Sequence, residues 1–232
     1  FTDKENSMKE AVIVSTARTP IGRAFKGAFN NTKSPTLMGH AIKHAVSRAG
    51  IDGAEIDDAI IGTVLAGGSA GMNIARNSVL AAGLPVTVSG QTIDRQCSSG
   101  LMAISTAAKQ IIVDGMDTVV AGGQDNISEI QKNYFEWVGK SVDQNVVANA
   151  PNAYMPMLLT AEHVAKTYKI SREAQDEYSL MSQQRTAAAQ AAGKFDDEIV
   201  AMSTTKANFN KETKEVSYED ITITKDEGNR PS

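Results

Sequence analysis

The stretch Gln91-Thr-Ile-Asp-Arg-Gln-Cys97-Ser-Ser-Gly-Leu-Met-Ala-Ile104 decides how the chain is read: an extended run passes through the only cysteine and then turns helical. Beyond Cys97, Leu101, Ile104, Ala108 and Ile111, joined by Ile112, recur at spacings of three and four. That periodicity predicts a helix with one apolar face, beginning at or just after the cysteine. A thiol at a helix N-terminus sits among unpaired N–H groups at the positive end of the helix dipole, and both favour a thiolate. Ser98, Ser99 and Gly100 are small, so a substrate carbonyl is expected to approach those N–H groups, which is the geometry acyl transfer needs. Free cysteine is also among the most buried residue types and a lone cysteine rarely declares its role, so at this point a plain core thiol is the favoured reading.

Outward from this stretch the chain alternates. Ala11-Val-Ile-Val-Ser-Thr16 is a short apolar, β-branched run that predicts a buried strand, closed by turn chemistry at Thr19-Pro20-Ile-Gly22. After an exposed loop to Pro35, the spacing predicts a helix over 36–49 stopped by Gly50. Asp58 to Leu65 reads as a second strand and 73–82 as a helix. The segment before Cys97 is a third strand and Met116 to Ala121 a fourth, ended by Gly122-Gly123. Strands alternating with helices predict an α/β fold, a mostly parallel sheet covered by helices. Ligands in such sheets sit beyond the carboxyl ends of strands, where the Cys97 turn is expected.

Two features invite other chemistry. Ala66-x-Gly68-x-x-Gly71 lies between a strand and a helix as a dinucleotide fingerprint does, but alanine replaces the first glycine and no acidic residue stands at the required distance. These glycines therefore read as a tight connection. His40 and His44 are four apart on one helix, with no further metal ligands in pattern, and read as a solvated face. No metal site is expected.

From Gln124 to about Met157 the pattern is irregular. Thr160 is placed to cap a helix over 161–168, and Ser171 to start a long helix ending at Gly193, with Ala174, Tyr178, Met181, Ala188 and Ala192 on one face. Tyr134, Trp137 and His163 are isolated and read as structural. Phe1 to Ser7 is polar and reads as a cloning remnant ahead of Met8.

The 232 residues are 41% apolar, enough to bury a sizeable core, and the formal charge of −4 argues against broad nucleic-acid binding. No apolar run reaches the length of a membrane span. A single cysteine permits no internal disulfide and suits a reducing compartment, so the expected location is cytoplasmic.

The segment Asp94-Arg-Gln-Cys97-Ser-Ser-Gly-Leu resembles the nucleophile motif of the thiolases. The likeness recurs in order at Ala17-Arg-Thr-Pro-Ile-Gly22, Asn73-Ile-Ala-Arg76, Ala121-Gly-Gly123, Thr160-Ala-Glu162, Ser182-Gln-Gln-Arg185 and Lys194-Phe-Asp-Asp-Glu-Ile199. Asp94 departs from the asparagine usual there. The resemblance, closest in this motif to the degradative 3-ketoacyl-CoA thiolases of fatty acid β-oxidation, covers Ala11 to about Ser232 and concerns the N-terminal part of that family. It implies a thiolase-like N-terminal core over 8–123. Over 124–232 it implies an inserted, mainly helical loop domain for coenzyme A and a return segment.

The resemblance further implies a 3-ketoacyl-CoA or acetoacetyl-CoA thiolase in which Cys97 forms an acyl-enzyme. Coenzyme A is then a substrate rather than a bound cofactor, and the subunits pair as homodimers or tetramers through the strand before Cys97. Met157 stands where relatives line the acyl pocket, although core packing explains it equally well. Pro156 replaces a histidine found there in some thiolases. In that family the activating histidine, a second cysteine and the oxyanion loop lie in a second half. The 232 residues contain no second cysteine and no Gly-His-Pro segment. The expectation is therefore an enzyme fragment that needs a C-terminal half as partner. The alternative is a non-catalytic subunit that keeps the scaffold for coenzyme A binding or assembly.

Overall fold

A computed structural model describes residues 9–230, so the polar stretch 1–7 lies outside the described residues. The chain divides into two compact units. One runs up to Gln131 and includes Glu198–Glu227; the other comprises Lys132–Asp197 and the residues from Gly228 on.

In the first unit, α1 (Ser34–Ala49) starts with proline in its first turn and ends where Gly50 adopts φ 70°. Proline lacks the N–H that a first turn cannot use, and glycine takes the left-handed cap without a Cβ penalty. β1 (Asp58–Gly62) is buried at every position. Then come α2 (Ile74–Ala81), whose cap Asn73 accepts the Arg76 N–H at 3.2 Å, and β2 (Ser89–Ile93). α3 (Ser99–Lys109) continues into a π-type turn at Gln110–Asp114 before β3 (Val119–Gly123).

The sheet order is β2-β1-β3, all parallel, with Gly62 level with Ile93 on one side and Gly123 on the other. β1 is central and covered on both faces, which is why Ala59-Ile-Ile61 is uninterruptedly apolar. Ile61 packs with Ile42, Ile74, Val79 and Val88, and Ile60 packs on the opposite face with Ala103 and Ala107 of α3. Each fully buried Ile or Val here contributes about 1.5–3 kcal/mol. The elements expected around Cys97 and the parallel alternation are present.

Two local expectations are corrected. Ala11–Thr16 forms no strand, and Val12, Ile13 and Val14 remain at least 70% exposed. A strand exists only by pairing, and this segment is held to α1 by side chains instead: Ser15 Oγ donates to the Ala45 carbonyl and Arg48 to the Thr16 carbonyl, both at 2.8 Å. The segment and β3 both line an open cleft of about 780 Å³. Second, α3 buries its small residues Ser99, Ala103 and Ala107, while Leu101 and Ile104 are exposed. The polar tract after 201 forms an antiparallel hairpin, β4 (Met202–Phe209) and β5 (Val216–Ile223). Met202 and Ile223 pack on Ala28 and Phe29.

Carboxylates fasten this return segment. Asp226 binds the Arg18 guanidinium through two oxygens at 2.6 and 3.0 Å, Glu198 binds the same group at 2.8 Å, and Glu227 accepts the Arg23 and Ala28 N–H groups. Burial pushes the Asp226 carboxyl upward, but Arg18 and the Ile21 N–H outweigh it and hold it below the usual carboxylate range. Arg18 is correspondingly raised, first by its bond to Asp226.

The second unit is helical. α4 (Ile127–Lys140) enters it, followed by α5 (Gln144–Asn149), capped by Asp143, and then α6 (Met157–Thr167) and α7 (Arg172–Ala191). Ser171 caps α7 as expected, with its Oγ accepting the Ala174 N–H at 3.1 Å. Thr160 lies inside α6 rather than capping it, and Tyr178 on the expected inner face of α7 is 68% exposed. Among the described residues of this unit none is buried.

Candidate active site

The carboxyl ends of the three parallel strands are tied together by main-chain bonds that run past the strand limits. The Thr63 N–H donates to the Ile93 carbonyl at 3.1 Å and the Gln124 N–H to the Gly62 carbonyl at 3.0 Å. Asp125 closes the same end: its carboxylate accepts the Thr63 hydroxyl at 2.9 Å and the N–H groups of Val64 and Leu65 at 3.1 and 2.9 Å. Asp125 is a further site residue, and its signal in the sequence is an acid two residues past the end of the half-buried β3.

On this end sits the start of α3. A Cβ on Gly62 would collide with the main chain of Ser99, and one on Gly123 would lie 3.0 Å from the Gly100 Cα. Backbone thus meets backbone where α3 crosses β1 and β3, and only glycine permits that approach. The small size of Ser99 and Gly100, expected to admit a substrate, serves this packing.

The turn from β2 into α3 presents the cysteine. Asp94 Oδ1 accepts the Gln96 N–H at 2.7 Å, the role an asparagine would fill, so the departure from the usual residue keeps the turn. Gln96 then adopts φ 50°, a left-handed conformation uncommon for a residue with a Cβ. The N–H groups of Ser98 and Ser99 donate to the carbonyls of Arg95 and Gln96 at 3.2 and 3.0 Å, so these two donors serve the turn itself. Cys97 projects from this turn, free and exposed. The buried-thiol reading is excluded.

The comparisons with known proteins bear on this arrangement. A family model described as the thiolase N-terminal domain matches residues 11–232. The chain belongs to the thiolase family. It is 41% identical over 226 residues to a 3-ketoacyl-CoA thiolase of Bacillus subtilis, covering 97% of this chain and 56% of that protein. It is 42% identical over 202 residues to an acetyl-CoA acetyltransferase of Cupriavidus necator, covering 83% of this chain and 51% of that one. The crystal structure of the Bacillus anthracis acetyl-CoA acetyltransferase superimposes with a TM-score of 0.79 at 33% identity, over 97% of this chain and 56% of that chain. The thiolase fold is thereby shown, and the chain spans about half the length of the curated relatives it matches.

The other singled-out residues are placed as follows. Met157 is the first residue of α6 in the second unit and is 75% exposed, so it is not a core residue of that unit. The His40 and His44 rings lie 4.5 Å apart, and His40 Nε2 is 3.1 Å from the Ala201 carbonyl, so His40 is half-buried rather than part of a solvated face. Burial, then the neighbouring His44 and Lys43, push the His40 pKa down. Among the described residues no cluster of His, Cys, Asp and Glu could hold a metal ion. Tyr134 meets Phe135 and Trp137 edge-on, and Trp137 is 68% exposed, so these rings form a surface group, not a core. Gly68 (φ 56°) makes the tight connection expected at Gly68–Gly71, in a single 3₁₀ turn. No described helix is long and apolar enough to cross a membrane.

Proposed function

We propose that this chain supplies the nucleophile of a thiolase-type acyl-CoA acyltransferase acting on 3-ketoacyl-CoA, with Cys97 as the attacking group. One observation carries the reading: the sole cysteine is exposed on a hydrogen-bonded turn at the carboxyl end of the parallel sheet, immediately before α3. The Cys97 sulfur adds to the 3-keto carbon, and the bond between carbons 2 and 3 breaks. The electron pair leaves on the acetyl-CoA fragment, which takes up a proton and departs. The shortened acyl group stays on sulfur as a thioester until the thiol of a second coenzyme A adds to it and the Cys97 thiolate leaves. Addition and departure require a base and oxyanion donors. We assign these to a further part of the enzyme, since the relatives are about twice as long and the exposed Leu101, Ile104 and Val12–Val14 offer apolar surface for it to cover.

The second unit we assign to coenzyme A, with Met157 facing the acyl chain; its exposure at the head of α6 leaves the side chain available. Association as a homodimer or tetramer is proposed through β2, an edge strand with one unpaired side. Light scattering showing only monomer over a wide concentration range would remove that part. A cytoplasmic location is proposed from the single free cysteine, although relatives named as peroxisomal exist.

The test is loss of the 3-ketoacyl-CoA enolate absorbance with acetoacetyl-CoA. The 232-residue chain alone should show no steady turnover, and addition of the C-terminal half of a thiolase, fused or separate, should restore it. Turnover by the short chain would show that the base has been misplaced. Persistent inactivity after complementation favours a non-catalytic coenzyme A-binding or assembly subunit.

A further inference from the structure

Two serines follow Cys97, and the structure uses them differently. Ser98 is exposed, and its hydroxyl donates to the Arg95 carbonyl at 2.8 Å. Ser99 is 4% exposed, and its hydroxyl works in both directions across the strained residue. It accepts the Arg95 N–H at 2.8 Å and donates to the Gln96 carbonyl at 2.6 Å. A hydroxyl has a single hydrogen to give, so the donor of Ser99 is committed to this turn. The two bonds bracket Gln96, whose φ of 50° is unfavourable for a residue with a Cβ. Ser99 itself cannot shift, because its main chain lies against Gly62. The clamp is therefore anchored in the sheet while the residue it restrains directly precedes Cys97.

We propose that Ser99 is a positioning residue, holding Gln96 in its left-handed conformation so that Cys97 stands at the entrance to α3 in a single reactive pose. The inference rests on the reading of Cys97 as nucleophile and adds to it the group that aims the sulfur. Removing the hydroxyl leaves the Arg95 N–H without the acceptor it has here and lets Gln96 relax toward an ordinary conformation, which redirects Cys97. Ser98 carries no such duty: its hydroxyl bonds the Arg95 carbonyl, which the Ser98 N–H holds as well at 3.2 Å, so that carbonyl keeps a partner when the hydroxyl is removed.

The test is iodoacetamide alkylation of Cys97, followed by mass as a function of pH, in the 232-residue chain and its Ser99→Ala and Ser98→Ala variants. Ser99→Ala should slow alkylation at neutral pH about tenfold, the equivalent of 1.4 kcal/mol, and should change the shape of the pH dependence. Ser98→Ala should stay within about twofold. Equal rates and profiles in wild type and Ser99→Ala overturn the positioning role while leaving the nucleophile intact. An inert thiol in the wild type overturns the nucleophile reading and the inference with it. Should Ser99→Ala not fold, amide hydrogen exchange in the wild type decides: Arg95 N–H must be protected, and free exchange there contradicts the clamp.

Discussion

The two units of this chain differ in what holds them. In the first, Ile60, Ile61, Ile74, Val79 and Val88 are wholly buried around three parallel strands, and the Cys97 turn is bolted to the strand ends through Gly62, Gly123 and Ser99. In the second, no described residue is buried, and Leu158, Leu159, Tyr168 and Tyr178 stand exposed on helices held largely by their own main-chain bonds and caps. The proposed roles match this contrast: a nucleophile at Cys97 would demand a fixed pose, and its turn rests on the fully buried β1, whereas a unit proposed to receive coenzyme A could forgo a core.

The contrast should appear in denaturation. Ile60→Ala removes side-chain volume between β1 and α3, where the glycine contacts leave little freedom to collapse, and should cost about 2–5 kcal/mol in urea unfolding. A loss under 1 kcal/mol would mean that the first unit is not the rigid partner in the comparison.

A smaller effect is expected at Asp226, which fastens the return segment. Because its folded pKa is depressed, its stabilisation is fully present above the ordinary carboxylate pKa and is lost as pH falls through the lowered folded value. Asp226→Asn should cost about 1–2 kcal/mol at neutral pH, and the difference from wild type should shrink as the solution is acidified through the carboxylate range. A pH-independent difference would place the effect elsewhere. Smallest of all, Leu158→Ala, at an exposed position of α6, should change stability by less than about 0.5 kcal/mol. A large loss there would reveal a packed second unit and erase the distinction.

What could be read beforehand follows the same division. The Cys97 turn, the parallel alternation and the cap at Ser171 were legible because glycine, cap residues and apolar runs act locally. Ala11–Thr16 was not, since its composition states a preference for pairing without saying whether a neighbour is present. The buried face of α3 is set by closeness rather than apolar size: Ala103 and Ala107 face the sheet where glycines bring the backbones together, leaving Leu101 and Ile104 outside. The β4–β5 hairpin hid in a polar tract whose strands are mostly exposed and lack apolar alternation. At the site, the cysteine was evident, but the clamp at Ser99 and the closure at Asp125 depend on contacts with residues far along the chain or on the other side of a turn.

The central claim is that Cys97 carries the acyl group. Its most direct measurement is peptide mass spectrometry after acid quenching of the complemented protein during turnover of acetoacetyl-CoA. An acetyl thioester on the peptide containing Cys97, absent with turnover in Cys97→Ala, is the predicted result. Turnover that survives in Cys97→Ala, or an acyl group found on another residue, would contradict it.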